Sequence, residues 1–265
     1  MAQDAPAEDA KPTVNFFIGE RLWVSTWQES MADAKIVIPN PANPVPVVQS
    51  SLATPVSGTT VMPLTVFGLR YGAFTLATTF APSTGYSSQG LAVGDKIHRK
   101  ELDVNFAYAL SPNFAASLVY KHGTIDQGAT AEATALTGLK GSYKLDGLLI
   151  GLSASSQLQG PLALYGNLAY GPLRETADLG SSKSKYHGSY RVAELGLAYK
   201  LDGEQKMLGL SGLSMQFGYR IQVVDINSIE LQTLSTTTPP TLISSQSVRA
   251  QSTTQGPVVG LIASF

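Results

Sequence analysis

Three histidines, His98, His122 and His187, are the only side chains here whose unperturbed charge changes near neutral pH. Asp95 lies close before His98 and Asp178 precedes His187, so each loop pairs an acid with an imidazole, the parts of a general acid–base hydrolase. Ser189 stands two residues after His187, a nucleophile–base pair by type. Neither neighbourhood carries a recognisable nucleophile motif: the local sequences read His122-Gly123-Thr124 and Tyr186-His187-Gly188-Ser189. There is no G-x-x-x-x-G-K-[ST], no H-E-x-x-H and no acidic spacing of a calcium loop. The chain has no Cys, which removes disulfides, thiolate metal sites and thiol nucleophiles together. The expectation is a protein that is not an enzyme and has no cofactor.

The remaining charges are few and balanced. Charged residues make up 14% of the 265, and the formal net charge is −1. A nucleic-acid partner would call for a basic surplus. Hydrophobic residues reach 43%, yet no run approaches the ~18 apolar residues of a membrane helix. Twenty-five Gly, with abundant Ser and Thr, argue against helices. A chain poor in charge and without long apolar runs can still cross a bilayer on strands that alternate apolar and polar residues.

That alternation recurs along the chain. In 102–110, Leu102, Val104, Phe106, Tyr108 and Leu110 share one face, with Asp103, Asn105, Ala107 and Ala109 on the other. After Ser111-Pro112-Asn113, which suits a tight reversal, Phe114, Ala116, Leu118 and Tyr120 oppose Ala115, Ser117, Val119 and Lys121. Ten such strands are expected near 14–27, 61–71, 73–82, 100–110, 114–123, 144–157, 161–171, 189–201, 212–225 and 255–265. In the first, Arg21 and Trp23 oppose Ile18 and Leu22, and Glu20 breaks the pattern. Short connections near 72, 111–113, 158–160 and 202–211 alternate with long ones at 28–60, 83–99, 124–143, 172–188 and 226–254. The repeat Tyr143-Lys144-Leu145-Asp146-Gly147 and Tyr199-Lys200-Leu201-Asp202-Gly203 leaves twelve strands as the alternative, because Asp-Gly favours hairpin turns.

The C-terminal segment Val259-Gly260-Leu261-Ile262-Ala263-Ser264-Phe265 puts Val259, Leu261, Ala263 and Phe265 on one face. With the strand pattern, it resembles the terminal signature of Gram-negative outer-membrane β-barrel proteins. That resemblance implies that the outer-membrane assembly machinery recognises these four residues, and that the barrel is monomeric or weakly associating. The fold class expected is all-β: one antiparallel transmembrane barrel over 13–265, with short periplasmic turns and long extracellular loops. Residues 1–12 read as a flexible periplasmic tail, the start of an exported chain whose signal peptide has been removed. Tyr71, Phe74, Tyr108, Phe114, Tyr199 and Phe265 fall beside the short turns, where aromatic rings favour the membrane–water boundary. Motifs of the omptin barrel proteases are absent.

The opposite faces would line the lumen with Arg21, Arg70, Glu101, Asp103, Asn105, Lys121, Tyr165, Asn167, Glu194, Gln216, Arg220 and Gln222. Ten strands enclose a narrow space, so two states stay open: a packed, salt-bridged interior, or a narrow channel whose charges select solutes. The function expected is a small porin-like channel for passive movement of small solutes. The alternative is a non-conducting barrel that works through its extracellular loops. Its partners would be outer-membrane lipids and lipopolysaccharide, and a ligand of loops 28–60 and 226–254. Around Pro112, paired positions sum to 224, which predicts that Asp103 faces Lys121 as a lumenal ion pair.

Overall fold

In the computed structural model, which describes residues 13–32, 35–40, 43–50, 56–87, 96–128, 141–178, 183–201, 210–234 and 242–265, each alternating stretch is a β-strand, and there is no helix among these residues. The strands are β1 (Val14–Ala32), β2 (Lys35–Asn40), β3 (Asn43–Ser50), β4 (Val56–Tyr71), β5 (Phe74–Ser87) and β6 (Lys96–Ser111). They continue with β7 (Phe114–Gly128), β8 (Gly141–Gln159), β9 (Leu162–Asp178), β10 (Lys183–Leu201), β11 (Gly212–Leu234) and β12 (Leu242–Ser264). Ten of them close an antiparallel barrel in chain order, with β1 paired to both β4 and β12. β2 and β3 pair only with each other, so the wall has ten strands and not twelve. Residues 1–12, Asp95 and the turn at Asp202-Gly203 lie outside the described residues.

Two short connections show how the sequence closes its hairpins. Gly72 and Gly160 occupy the first positions of two-residue turns with φ of 56° and 55°, a left-handed backbone that costs glycine nothing. Asp146-Gly147, by contrast, runs straight through β8. Their pairing partners, Arg174 and Leu173, hold them in the ladder, so the dipeptide's turn preference yields to the sheet.

On the outer face, Phe106, Leu118, Leu195, Leu197 and Phe217 are exposed, and Leu102, Val104 and Ile221 are half-buried among same-face neighbours. In water such a belt would aggregate; around a barrel it matches the apolar band of a membrane. Tyr71, Phe74, Tyr108, Phe114, Tyr199 and Phe265 are exposed at the short-turn end. There Phe74 packs against Phe106 and Tyr108, with ring centroids 5.7 and 5.1 Å apart. Glu20 faces outward within the belt and accepts a hydrogen bond from Thr65 at 2.7 Å.

The strands run further than hydropathy indicates, mainly toward the long-loop end. β11 continues to Leu234 and β12 begins at Leu242, and they stay paired almost to their tips. Most of 226–254 is therefore wall rather than loop. Above the apolar band the outer residues become polar, so the two-residue hydropathy signal fades while the hydrogen-bond ladder continues. A 23-residue strand tilted ~45° rises about 50 Å, roughly twice the apolar band of ~25 Å.

Closure of β1 on β12 leaves no room at Gly256, where a Cβ would lie 1.8 Å from the Val24 carbonyl oxygen. Gly256→Ala is therefore expected to destabilise the barrel by about 1–3 kcal/mol, read as a lower urea midpoint in lipid vesicles.

Candidate functional site in the barrel lumen

Period-two geometry puts the site together. On β6 the inner face carries Arg99, Glu101, Asp103 and Asn105 in succession, while β11 contributes Gln216, Arg220 and Gln222. β1 adds Arg21, β4 Arg70, β7 Lys121, β9 Tyr165 and Asn167, and β10 Glu194. All twelve lumenal candidates thus stand on the inner face. The β6–β7 register pairs Asp103 with Lys121, Asn105 with Val119 and Tyr108 with Ala116.

The structure links seven of the charges into one chain across the lumen. Arg21 pairs with Glu194. Arg220 reaches both Glu194 at 3.4 Å and Asp103 at 3.5 Å. Lys121 bridges Asp103 at 2.8 Å and Glu101, and Glu101 pairs with Arg99. Arg99 also donates to Gln222 Oε1 at 2.6 Å and to the Thr254 hydroxyl. Four cations face three carboxylates, an excess of one positive charge. Two aromatic rings share that excess: Lys121 Nζ lies 5.1 Å from the Tyr190 centroid and Arg220 5.5 Å from that of Trp23.

Toward the long-loop end, apolar side chains fill the lumen. Trp23, Trp27, Met62, Leu64, Tyr86, Ile97 and Val258 form one cluster, and Leu145, Leu149, Leu173, Tyr190, Val224 and Ile226 form the other, with Ile125 touching both. The polar edges of Trp23, Trp27 and Tyr86 are satisfied within the wall, whereas the Tyr190 hydroxyl is buried without a hydrogen bond to any described residue. Trp23 Nε1 donates to the Gly256 carbonyl at 3.2 Å, and Trp27 Nε1 to Ser252 Oγ at 2.7 Å. The Tyr86 hydroxyl and Ser25 Oγ are 2.7 Å apart. Toward the short-turn end the lumen opens into a vestibule of about 510 Å³, lined by Arg70, Thr75, Asn167 and Gln216, with Arg21, Glu194 and Tyr165 at its inner end. Gly196 and Gly218 leave the space that the Tyr165 ring occupies: a Cβ on either would lie 2.7 Å from its hydroxyl.

Arg99, Thr254, Tyr190 and both tryptophans, Trp23 and Trp27, were not among the candidates. Arg99 had a usable signal, since it continues the inward series of Glu101 and Asp103 by one more step. Trp23 and Trp27 had one too, since they follow Arg21 at steps of two within the expected strand 14–27. Thr254 had none, because it lies where the strand runs beyond the apolar band.

All three histidines stand on the outer wall. His98 and His187 are exposed on the outer wall, on β6 and β10. His122 Nδ1 lies 2.7 Å from Asp146 Oδ1, which also accepts from the Tyr120 hydroxyl at 3.1 Å. This acid–imidazole pair faces outward, and no Ser or Thr hydroxyl is bonded to His122 among the described residues. Nor do those residues include a group of three or more His, Asp or Glu able to hold a metal ion. Val259, Leu261 and Phe265 are exposed on the outer face of β12 and Ala263 is half-buried there; the Phe265 amide donates to the Phe16 carbonyl at 2.8 Å.

Glu101 holds two cations apart in a site closed to water. Glu101→Met leaves Arg99 and Lys121 facing each other and should cost about 3–5 kcal/mol in urea unfolding from lipid vesicles. Replacing Arg99, Glu101 and Lys121 together by Met should recover much of that loss, because no uncompensated charge then remains among the three.

No family model and no curated protein matches the sequence. Solved structures do match the fold. The outer membrane protease OmpT from Escherichia coli superposes with a TM-score of 0.51 at 9% identity, over 95% of this chain and 97% of that one. Neisserial surface protein A gives 0.37 at 11% identity over 94% and 97%. A Pseudomonas aeruginosa FadL homologue gives 0.37 at 10% identity over 95% and 90%. At such identities the likeness is one of fold. Ten closed antiparallel strands, an outward apolar belt, a polar interior and the likeness to OmpT give the chain the fold of an outer-membrane β-barrel.

Proposed function

We propose that this protein is a non-conducting barrel that works through its tall extracellular wall and the hairpins at its tip. One observation carries this: the lumen is filled at the level of the charge network and above it. Trp23 and Met62 are 0% exposed, and Lys121, Tyr190 and Gln222 are 1% exposed, so water reaches them from neither end. A passive porin-like channel needs an aqueous path, and here it would have to displace two ring-capped cations and both tryptophans. The vestibule is then a dead end open to the periplasm. The same wall carries the assembly signal of the terminal strand at its short-turn end. At the other end stand β2–β3 and the paired tips of β11 and β12, the surfaces we assign to an external partner.

Planar bilayers test this. Wild-type protein should give no reproducible single-channel steps, whereas Trp23→Ala combined with Tyr190→Ala should open conductance by removing both ring caps. Regular stepwise conductance from the wild type at neutral pH would overturn the closed-lumen assignment in favour of the channel.

A further inference from the structure

Charge on the outer wall is segregated by height. Among residues with described side chains, every outward-facing Lys or Arg lies above the apolar band, toward the long loops, and none lies at the short-turn edge. Three of these cations are already occupied. Arg191 and Arg249 hold the buried Asp225 carboxylate, and Lys183 pairs with Asp178 at 3.1 Å. Lys100, Lys144, Arg174 and Lys185 form no salt bridge with any described residue and are exposed.

Three of the four stand together at one level. Lys100 is the first outward residue above Leu102, Lys144 the second above Leu148, and Arg174 the first above Pro172. Each outward step along a tilted strand rises about 5 Å, so these three lie within about 10 Å of the band's upper edge. Lys185 is the fourth outward residue above Ala193 and lies higher. The sheet register places Thr124 directly between Lys100 and Lys144, and Asp146 beside Arg174. Two strand spacings separate the lysines by about 10 Å, and their flexible stems can converge above Thr124, which is itself buried. The one carboxylate in the group, Asp146, is engaged by His122 and Tyr120.

We infer that Lys100, Lys144 and Arg174 form a binding site for a phosphate group on an outer-leaflet lipid. The two ammonium groups and the guanidinium provide the donors that a phosphate accepts. Their height, just past the last apolar residues, is where a lipid packed on the belt carries its headgroup, which favours a lipid phosphate over a soluble one. The site does not depend on whether the lumen conducts, so bilayer conductance and lipid binding fail or succeed separately.

The test uses the full chain folded in phosphatidylcholine vesicles doped with either bisphosphorylated lipid A or its chemically dephosphorylated form, then extracted in mild detergent for native mass spectrometry. Wild type should retain the bisphosphorylated lipid about tenfold more than the dephosphorylated one, about one decade in affinity. The triple variant Lys100→Gln, Lys144→Gln, Arg174→Gln should lose that preference. Lys183→Gln with Lys185→Gln, a control of equal surface character, should keep it. Heat-modifiable gel mobility confirms that each variant is folded; if the triple variant does not fold, Lys144→Glu alone should lower retention. Equal retention of the two lipids by wild type, or an unchanged preference in the variants at Lys100, Lys144 and Arg174, would overturn the site. Displacement of the lipid by millimolar inorganic phosphate would reassign it to soluble phosphate and overturn the lipid assignment.

Discussion

Charges inside a ten-strand wall have almost no water to solvate them, so each must be met by an opposite charge or a ring. The chain from Arg21 through Glu194, Arg220, Asp103, Lys121 and Glu101 to Arg99 satisfies that requirement. It ties β1, β6, β7, β10 and β11 together across the lumen, beyond the hydrogen bonds each strand makes with its neighbours. A one-residue slip in any of these strands would turn its member of the network into lipid and an apolar residue into the lumen. The network therefore specifies register as well as closing the barrel.

The division of labour between the two faces follows from the same constraint. The lower lumen is polar and wet, the middle is charged and dry, and the upper lumen is apolar and packed around two tryptophans. Outside, the order is reversed in kind: aromatic and aliphatic near the turns and through the band, then cationic and hydroxyl-bearing above it. A wall that continues well past the membrane needs its own interior, and the clusters around Trp27 and Leu145 supply one where no lipid packs outside. Height along the barrel, which no strand encodes alone, thus decides the surroundings each residue meets.

Much of this was legible from the residues. Alternation located all ten wall strands. The Asp103–Lys121 pairing was also foreseen, although the turn is the two-residue Pro112-Asn113 between Ser111 and Phe114, and an irregularity between Ala109 and Ser111 restores the register that a reversal centred on Pro112 implies. The network's ends were less legible. Arg99 fell just outside the expected strand, and Thr254 and Ser252 sit where the outer face is polar and hydropathy no longer alternates. Hydrogen-bonded ladders persist there without an apolar signal.

By itself the sequence determined the class, the facing of most side chains in the ten strands and the pairing of Asp103 with Lys121, since these depend on a period of two and on short turns. Only the tertiary structure decided whether the lumen is filled or open. That depends on which inward side chains from strands far apart in the chain meet at the same height: Arg21 with Glu194, Arg99 with Gln222 and Thr254, and Lys121 beneath Tyr190. Such meetings are set by the stagger and tilt of the closed barrel, and no local pattern records them.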